Sequence, residues 1–182
     1  MEKQYKAVFF DLGGTLRIAF LEEAYMRHAR RKMAEIAGTD MPYEEFYQMI
    51  EERYLSIRDE LGLRTDLEGE FAALRRKMDQ GISQDELVSR GEYFAAKLMA
   101  DYLGFDFLDS TMWLKFRFDG SVDQEASYEA LQHAASGRRV VMPGFYGVMP
   151  DGAIKTFTRG GSDITGALAA AALDADVYEN WT

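Results

Sequence analysis

Lys155-Thr156-Phe157-Thr158-Arg159-Gly160-Gly161-Ser162-Asp163-Ile164-Thr165 constrains this chain more than any other stretch. Branched and aromatic residues suited to a strand run into a paired glycine. An arginine precedes the pair, a hydroxyl and a carboxylate follow it, and an Ala/Leu-rich run then begins. That order predicts a strand, a tight loop and a helix. Free backbone N–H groups at the helix start, beside a fixed positive charge, make a cradle suited to phosphate or carboxylate. The same pattern also serves as an ordinary tight turn, with Arg159 and Asp163 pairing across it and capping the helix.

The rest of the chain mixes strand and helix periodicities. Ala7-Val8-Phe9-Phe10 is a short apolar run fit for a buried strand, and it enters a second paired-glycine loop, Asp11-Leu12-Gly13-Gly14-Thr15-Leu16. Leu21, Tyr25, Ala29, Met33 and Ile36 recur at helical spacing up to Gly38. Pro42 opens a helix with Phe46, Ile50, Ile57 and Leu61 on one side, ending near Gly62. Thr65-Asp66-Leu67-Glu68 and Ser83-Gln84-Asp85-Glu86 have capping-box spacing. Two helices should follow them, the second reaching about Leu103 with Gly104 as its cap. Phe105 to Asp119 predicts two short strands, Val122 to Ser136 a helix, and Val140-Val141-Met142 a buried strand. Phe145 to Val148 and Ile154 to Phe157 flank Pro150-Asp151-Gly152 as a hairpin. A last helix, about Ser162 to Leu173, feeds a strand from Val177 to Trp181. Intermixed strands and helices, with a helical block in the middle, predict an α/β fold: a layered sheet with helices packed on it. No composition shift marks a second domain.

Composition narrows the function classes. A formal charge of −10 argues against nonspecific nucleic-acid binding and against docking on anionic membranes. Zero cysteines exclude disulfides and thiolate metal sites and fit a reducing cytosol. The two histidines, His28 and His133, sit in helical patterns with no second ligand nearby, so no metal site is expected. No apolar run approaches the ~18 residues of a membrane span. Met1-Glu2-Lys3-Gln4 lacks the pattern of a signal peptide.

The flanks of the Gly160-Gly161 loop carry a family resemblance. Val140-Val141-Met142-Pro143-Gly144-Phe145-Tyr146-Gly147 lies upstream and Tyr178-Glu179-Asn180-Trp181-Thr182 downstream. With Ser89-Arg90-Gly91-Glu92-Tyr93, this set resembles the core of aspartate kinases, in the amino-acid kinase superfamily, from about residue 52 to 182. The resemblance implies a layered α/β/α sandwich of amino-acid kinase type. It also implies an enzyme that moves the γ-phosphoryl of MgATP onto the side-chain carboxylate of L-aspartate, in cytoplasmic amino-acid biosynthesis. L-aspartate, ATP and Mg²⁺ are the implied ligands, and a homo-oligomer is compatible with it.

Residue roles follow from the same resemblance. Arg159 matches the arginine that holds a substrate carboxylate, where a planar guanidinium binds bidentately. Asp163 matches the aspartate at the reacting end. Ser162 and Phe145 match residues lining the amino-acid pocket, and Glu92 matches the glutamate that receives the substrate ammonium. Gly160 and Gly161 let backbone approach the anions. Gly13, Gly14 and Thr15 align with the family's first glycine loop, and Thr182 with the start of its W-T-D nucleotide segment. Read without the resemblance, Glu92 is one more solvated helix carboxylate, and Phe145 is a core aromatic as readily as a pocket residue.

Both ends depart from the family pattern. Its first loop carries a lysine that neutralises the transferring phosphoryl, but Asp11-Leu12 stands at the Lys-Phe positions, and a carboxylate there repels phosphate. Ala7 to Leu16, "AVFFDLGGTL", instead resembles motif I of haloacid-dehalogenase-like hydrolases. Asp11 would be the nucleophile and form a phosphoaspartate. Gly13 stands in place of that family's second aspartate, and the stretch to about residue 50 suits its cap region. At the other end the W-T-D aspartate, the remaining nucleotide site and the ACT domains are expected and absent. The expectation is one incomplete amino-acid kinase-like domain over 1–182. Residues 1–50 are hydrolase-like and 51–182 kinase-like, and activity is impaired.

Overall fold

The computed structural model describes residues 7–8 and 43–180, with side chains from Tyr47 onward. Asp11, Gly13, Gly14, Thr15, His28, the helix expected from Leu21 to Ile36, and Thr182 lie outside the described residues.

Strand β1 is Ala7–Val8. Among the described residues three helices come next, α1 (Tyr43–Glu60), α2 (Leu67–Asp79) and α3 (Gln84–Leu103). Then come β2 (Asp106–Phe107), a 3₁₀ turn (Ser110–Met112), α4 (Gln124–Ala134) and β3 (Val140–Val141). The hairpin β4 (Tyr146–Val148) and β5 (Ile154–Thr156) leads into α5 (Gly161–Ala172).

Strand β3 is central, with β1 and β2 parallel on either side; Ala7 and Asp106 both face Val140, and Val8 and Phe107 face Val141. Side chains alternate across a strand, and here the alternation builds the layers. Val140 is buried in one core with Leu131 and Ala135 near α4 and Ala169 and Ala172 of α5. Val141, one residue on, packs against Ala96 and Ala100 of α3 on the opposite face. The result is the expected α/β/α sandwich.

The helical block has its own core. Helix α1 buries Tyr47, Ile50 and Tyr54, while Ile57 packs at the margin and Leu61 is 50% exposed. Two tyrosines share the inner stripe with the expected Ile50, because their hydroxyls reach buried carbonyls. Tyr47 donates to Phe71 O at 2.6 Å and Tyr54 to Gly91 O at 3.0 Å. Phe71 and Phe94 stack beside them, 4.5 Å between ring centroids.

The capping signals are obeyed with one shift. Ser83 accepts from Glu86 N–H at 3.1 Å, and Gly104 closes α3 in the left-handed conformation. At α2 the cap is Asp66, which accepts from Gly69 N–H; Thr65 is instead held by Asp101. Two strand expectations fail. Phe105 to Asp119 yields one strand, because Asp109 accepts from Thr111 N–H at 2.9 Å and starts the 3₁₀ turn. Beyond it Lys115 and Phe116 make only isolated bridges. Val177 to Asn180 carries no regular structure. Asp174, with φ 49°, ends α5 in a Schellman turn, Ala175 N–H bonding Ala170 O and Asp174 N–H bonding Ala171 O. The chain then folds back, placing Tyr178 over Gly166. Among the described residues no helix is long and apolar enough to cross a membrane.

Candidate active site at the start of the last helix

The β4–β5 hairpin brings two loops face to face. One is Met142-Pro143-Gly144-Phe145, leaving β3; the other is Phe157 to Gly160, leaving β5 for α5. Phe157 N–H donates to Phe145 O at 2.8 Å and clips the loops together. On the far side, Ser110 of the 3₁₀ turn is buried and its hydroxyl donates to Pro143 O.

Each glycine here serves a distinct purpose. Gly160 sits at φ 60° as the N-cap of α5, a left-handed position that side chains disfavour. Gly161 is required for space: a Cβ there would lie 2.5 Å from Phe145 Cβ and 2.8 Å from Phe157 Cβ. Gly144 abuts Ser162 in the same way, with Ser162 Oγ 2.9 Å and Ser162 Cα 3.1 Å from where its Cβ would be. These contacts leave Ser162 and Phe145 half-buried and adjacent. Phe145 itself has φ 58°, a genuine outlier for an aromatic residue. Its N–H donates to Thr165 Oγ1 at 3.1 Å.

Arg159 and Asp163 are both exposed, on either side of Gly160-Gly161. The simple turn-and-cap alternative does not describe them. Among the described residues no ion pair joins Arg159 to Asp163, and the helix start carries no side-chain cap. Asp163 instead accepts from Asn180 Nδ2 at 2.8 Å, so the returning chain ends against the first turn of α5.

Helix α3 flanks this arrangement. Asp85, at its start, accepts from Thr156 Oγ1 of β5 at 2.7 Å. Ser89 and Glu92 continue the stripe of Asp85 at helical spacing, Ser89 buried and Glu92 half-buried. Arg90 lies over the Tyr93 ring at 4.5 Å and the Tyr146 ring at 5.5 Å, next to Phe145 in sequence. Tyr146 is fully buried and donates to Asp109 Oδ1 at 3.1 Å. Burial, then the Asp109 carboxylate, push its phenol well above the usual tyrosine value.

The structure thus packs Phe145 against Gly161 and Gly144 against Ser162, keeps Arg159 and Asp163 on the same turn, and sets Glu92 on the α3 stripe that begins where Asp85 bonds β5. Four residues to which the sequence assigned no role also adjoin this arrangement: Tyr146, Asp109, Thr165 and Asn180. Thr165 carried a signal, as a hydroxyl one helical turn after Gly161 in a run of small apolar residues. Strand β1 is parallel to β3, so its carboxyl end lies at the sheet edge from which the Phe145 loop departs. His133 is exposed in the last turn of α4, as a surface residue.

Comparison with known proteins agrees with this architecture. The model of the Amino acid kinase family matches residues 28–182. Its start falls inside the stretch assigned to a hydrolase-like segment, so residues 28–50 go with the kinase family instead. Over 43 residues the chain is 54% identical to aspartokinase 3 of Bacillus subtilis (strain 168), covering 24% of this chain and 10% of that protein. The aspartate kinase of Clostridium acetobutylicum superposes with a TM-score of 0.77 at 35% identity, over 89% of this chain and 36% of that one. E. coli aspartokinase III, in complex with lysine and aspartate, superposes with a TM-score of 0.59 at 25% identity, over 91% and 40%. The chain therefore spans well under half the length of the relatives it matches. Sheet order, paired-glycine helix start and family match converge: the chain belongs to the amino acid kinase family.

Proposed function

We propose that this chain carries the amino-acid side of an aspartate kinase domain, whose reaction transfers the γ-phosphoryl of ATP to the side-chain carboxylate of L-aspartate. The observation that supports the reading is the contact of Phe145 with Gly161 and of Gly144 with Ser162, which holds two residues matched by the resemblance, Phe145 and Ser162, on two clipped loops. In the reaction a carboxylate oxygen attacks the γ-phosphorus and the bond to the ADP oxygen breaks, giving an acyl phosphate and ADP. Catalysis of that kind rests on positioning and charge neutralisation. Arg159 holds a substrate carboxylate as a two-pronged donor, Glu92 receives the ammonium, and Ser162 and Phe145 line the pocket. Asp163 orders the charged groups at the reacting end.

Backbone amides at Gly160 and Gly161 suit an anion, whereas Gly13, Gly14, Thr15 and Thr182 lie outside the described residues. Among the described residues no group of three or more acidic or histidine side chains converges to hold a metal.

Thermal denaturation with L-aspartate tests the reading. Millimolar L-aspartate should raise the melting temperature, and Arg159→Ala should abolish the rise; an unresponsive wild-type chain counts against an intact pocket. The competing reading, phosphoester hydrolysis through Asp11, predicts Mg²⁺-dependent turnover of a generic phosphoester that disappears in Asp11→Asn.

A further inference from the structure

We propose that Thr165 is the positioning residue that holds Phe145 in its left-handed conformation and thereby sets the amino-acid pocket. The proposal rests on the aspartate reading above for its ligand, but not for its geometry. Phe145 has φ 58°, a region that bulky L-residues rarely occupy without external restraint. Both of its backbone polar groups are held. Its carbonyl accepts from Phe157 N–H at 2.8 Å, and its N–H donates to Thr165 Oγ1 at 3.1 Å.

The direction of the second bond is fixed by hydrogen-bond accounting. Thr165 Oγ1 lies 2.7 Å from Gly161 O, a carbonyl that can only accept. The single hydroxyl hydrogen therefore goes to Gly161, and a lone pair remains for Phe145 N–H. One buried oxygen, on a residue 1% exposed, thus ties the Phe145 loop to the first turn of α5. The buried face of α5 is otherwise Gly161, Gly166, Ala169 and Ala172, so Thr165 is its one polar member. Alanine would favour the helix more. The hydroxyl is the feature that distinguishes threonine here. The space left by Gly161 then lets Phe145 Cβ close against the helix. Position and conformation of Phe145 are both set from one turn, beside Ser162.

Thr165→Val keeps the shape of the side chain and removes the hydroxyl, leaving Phe145 N–H without its acceptor. Thr165→Ser keeps the hydroxyl. L-aspartate is titrated by calorimetry into wild type and both variants, and each ligand-free melting temperature is recorded. The expected result is a dissociation constant about tenfold weaker in Thr165→Val, the equivalent of one buried hydrogen bond. Thr165→Ser should stay near wild type. A Thr165→Val chain that melts earlier but binds L-aspartate like wild type would reduce Thr165 to a packing residue and overturn the proposal. Hydrogen exchange at the Phe145 amide supplies a reading without ligand, and without the valine variant if that one does not fold. The amide should be protected in wild type and in Thr165→Ser; exchange at the rate of an unstructured peptide overturns the clamp. If wild type shows no response to L-aspartate while the amide is protected, the functional reading fails and the clamp stands.

Discussion

Asn180 Nδ2 donates to Asp163 Oδ1 at 2.8 Å, joining the returning chain to the first turn of α5 across 17 residues. Both residues are exposed, so the bond is modest, about 0.5–1.5 kcal/mol. Its charge character makes it testable. Asn180→Asp sets two carboxylates side by side and replaces an attraction with a repulsion. The variant should be less stable than wild type at pH 7 by roughly 1 kcal/mol, and the deficit should shrink in molar salt, where the Debye length is only about 3 Å. Urea melts at low and high salt would measure it. A salt-independent difference would mean that the Asn180 amide does not face Asp163.

The two glycines of the opening loop should fail differently when replaced. Gly160→Ala meets no atom within 4 Å but must hold φ 60°, a backbone penalty of about 1 kcal/mol. Gly161→Ala has an ordinary helical position, yet its methyl group would lie 2.5 Å from Phe145 Cβ and 2.8 Å from Phe145 Cα. Those atoms cannot swing aside as a side-chain tip can. Overpacking of this kind costs about 1–3 kcal/mol, and here the displaced part is the Phe145 loop, on which the proposed amino-acid pocket rests. Denaturant midpoints should therefore rank wild type, Gly160→Ala, Gly161→Ala. Only Gly161→Ala should also abolish the response to L-aspartate. A Gly161→Ala chain as stable as Gly160→Ala would contradict the close packing.

This pair also shows how far the sequence was legible. Strand, paired-glycine loop and helix are local signals, and Ile154–Thr156 and Gly161–Ala172 appear where the pattern placed them. The hairpin around Pro150-Asp151-Gly152 and the caps Ser83 and Gly104 are local too. What sequence could not convey is partnership at a distance. Gly161 reads as an approach to an anion, but its visible constraint is Phe145, which lies on the preceding loop. Thr65 reads as a helix cap, but Asp101, 36 residues on, claims it and passes the cap to Asp66. Tyr47 and Tyr54 take places on the inner stripe of α1 that the apolar spacing did not assign to them, because buried carbonyls of other helices accept from their hydroxyls. The strand expected after α5 is lost to a left-handed Asp174, where a glycine would have announced the turn.

Tyr146 should govern stability at alkaline pH. Burial, with the Asp109 carboxylate second, raises its phenol well above the usual value of 10.0. A folded-state pKa above the unfolded one gives stability that is fully present below about pH 10. It is lost as pH rises toward the folded value, because only the unfolded chain ionises readily. Tyr146→Phe removes this dependence together with one buried hydrogen bond. At pH 8 the variant should be less stable by about 1 kcal/mol. Between pH 10 and 11 the gap should narrow, as wild type alone carries that loss. Urea midpoints across this range would show it, and parallel curves would mean that Tyr146 is not the responsible group.

Asp101 should act at the opposite end of the pH scale. Its Oδ2 accepts from Arg64 N–H at 2.7 Å and from Thr65 N–H and Thr65 Oγ1 at 2.9 Å each, fastening the start of α2 to the end of α3. Burial alone would raise its pKa, but the bonds from Arg64 and Thr65 outweigh that and hold it below the usual 3.8. A depressed folded-state pKa means stability that is fully present above the unfolded value, about 3.9, and lost as pH falls through the folded one. Asp101→Ala should therefore cost stability at pH 7, about 1 kcal/mol because water reaches part of the site. The difference from wild type should persist to about pH 4 and fade below it, since a protonated Asp101 no longer serves as a charged acceptor. Denaturant unfolding at pH 7, 4 and 2.5 measures the three points. A difference that stays constant down to the lowest pH would show that the three bonds do not depend on the ionised carboxylate.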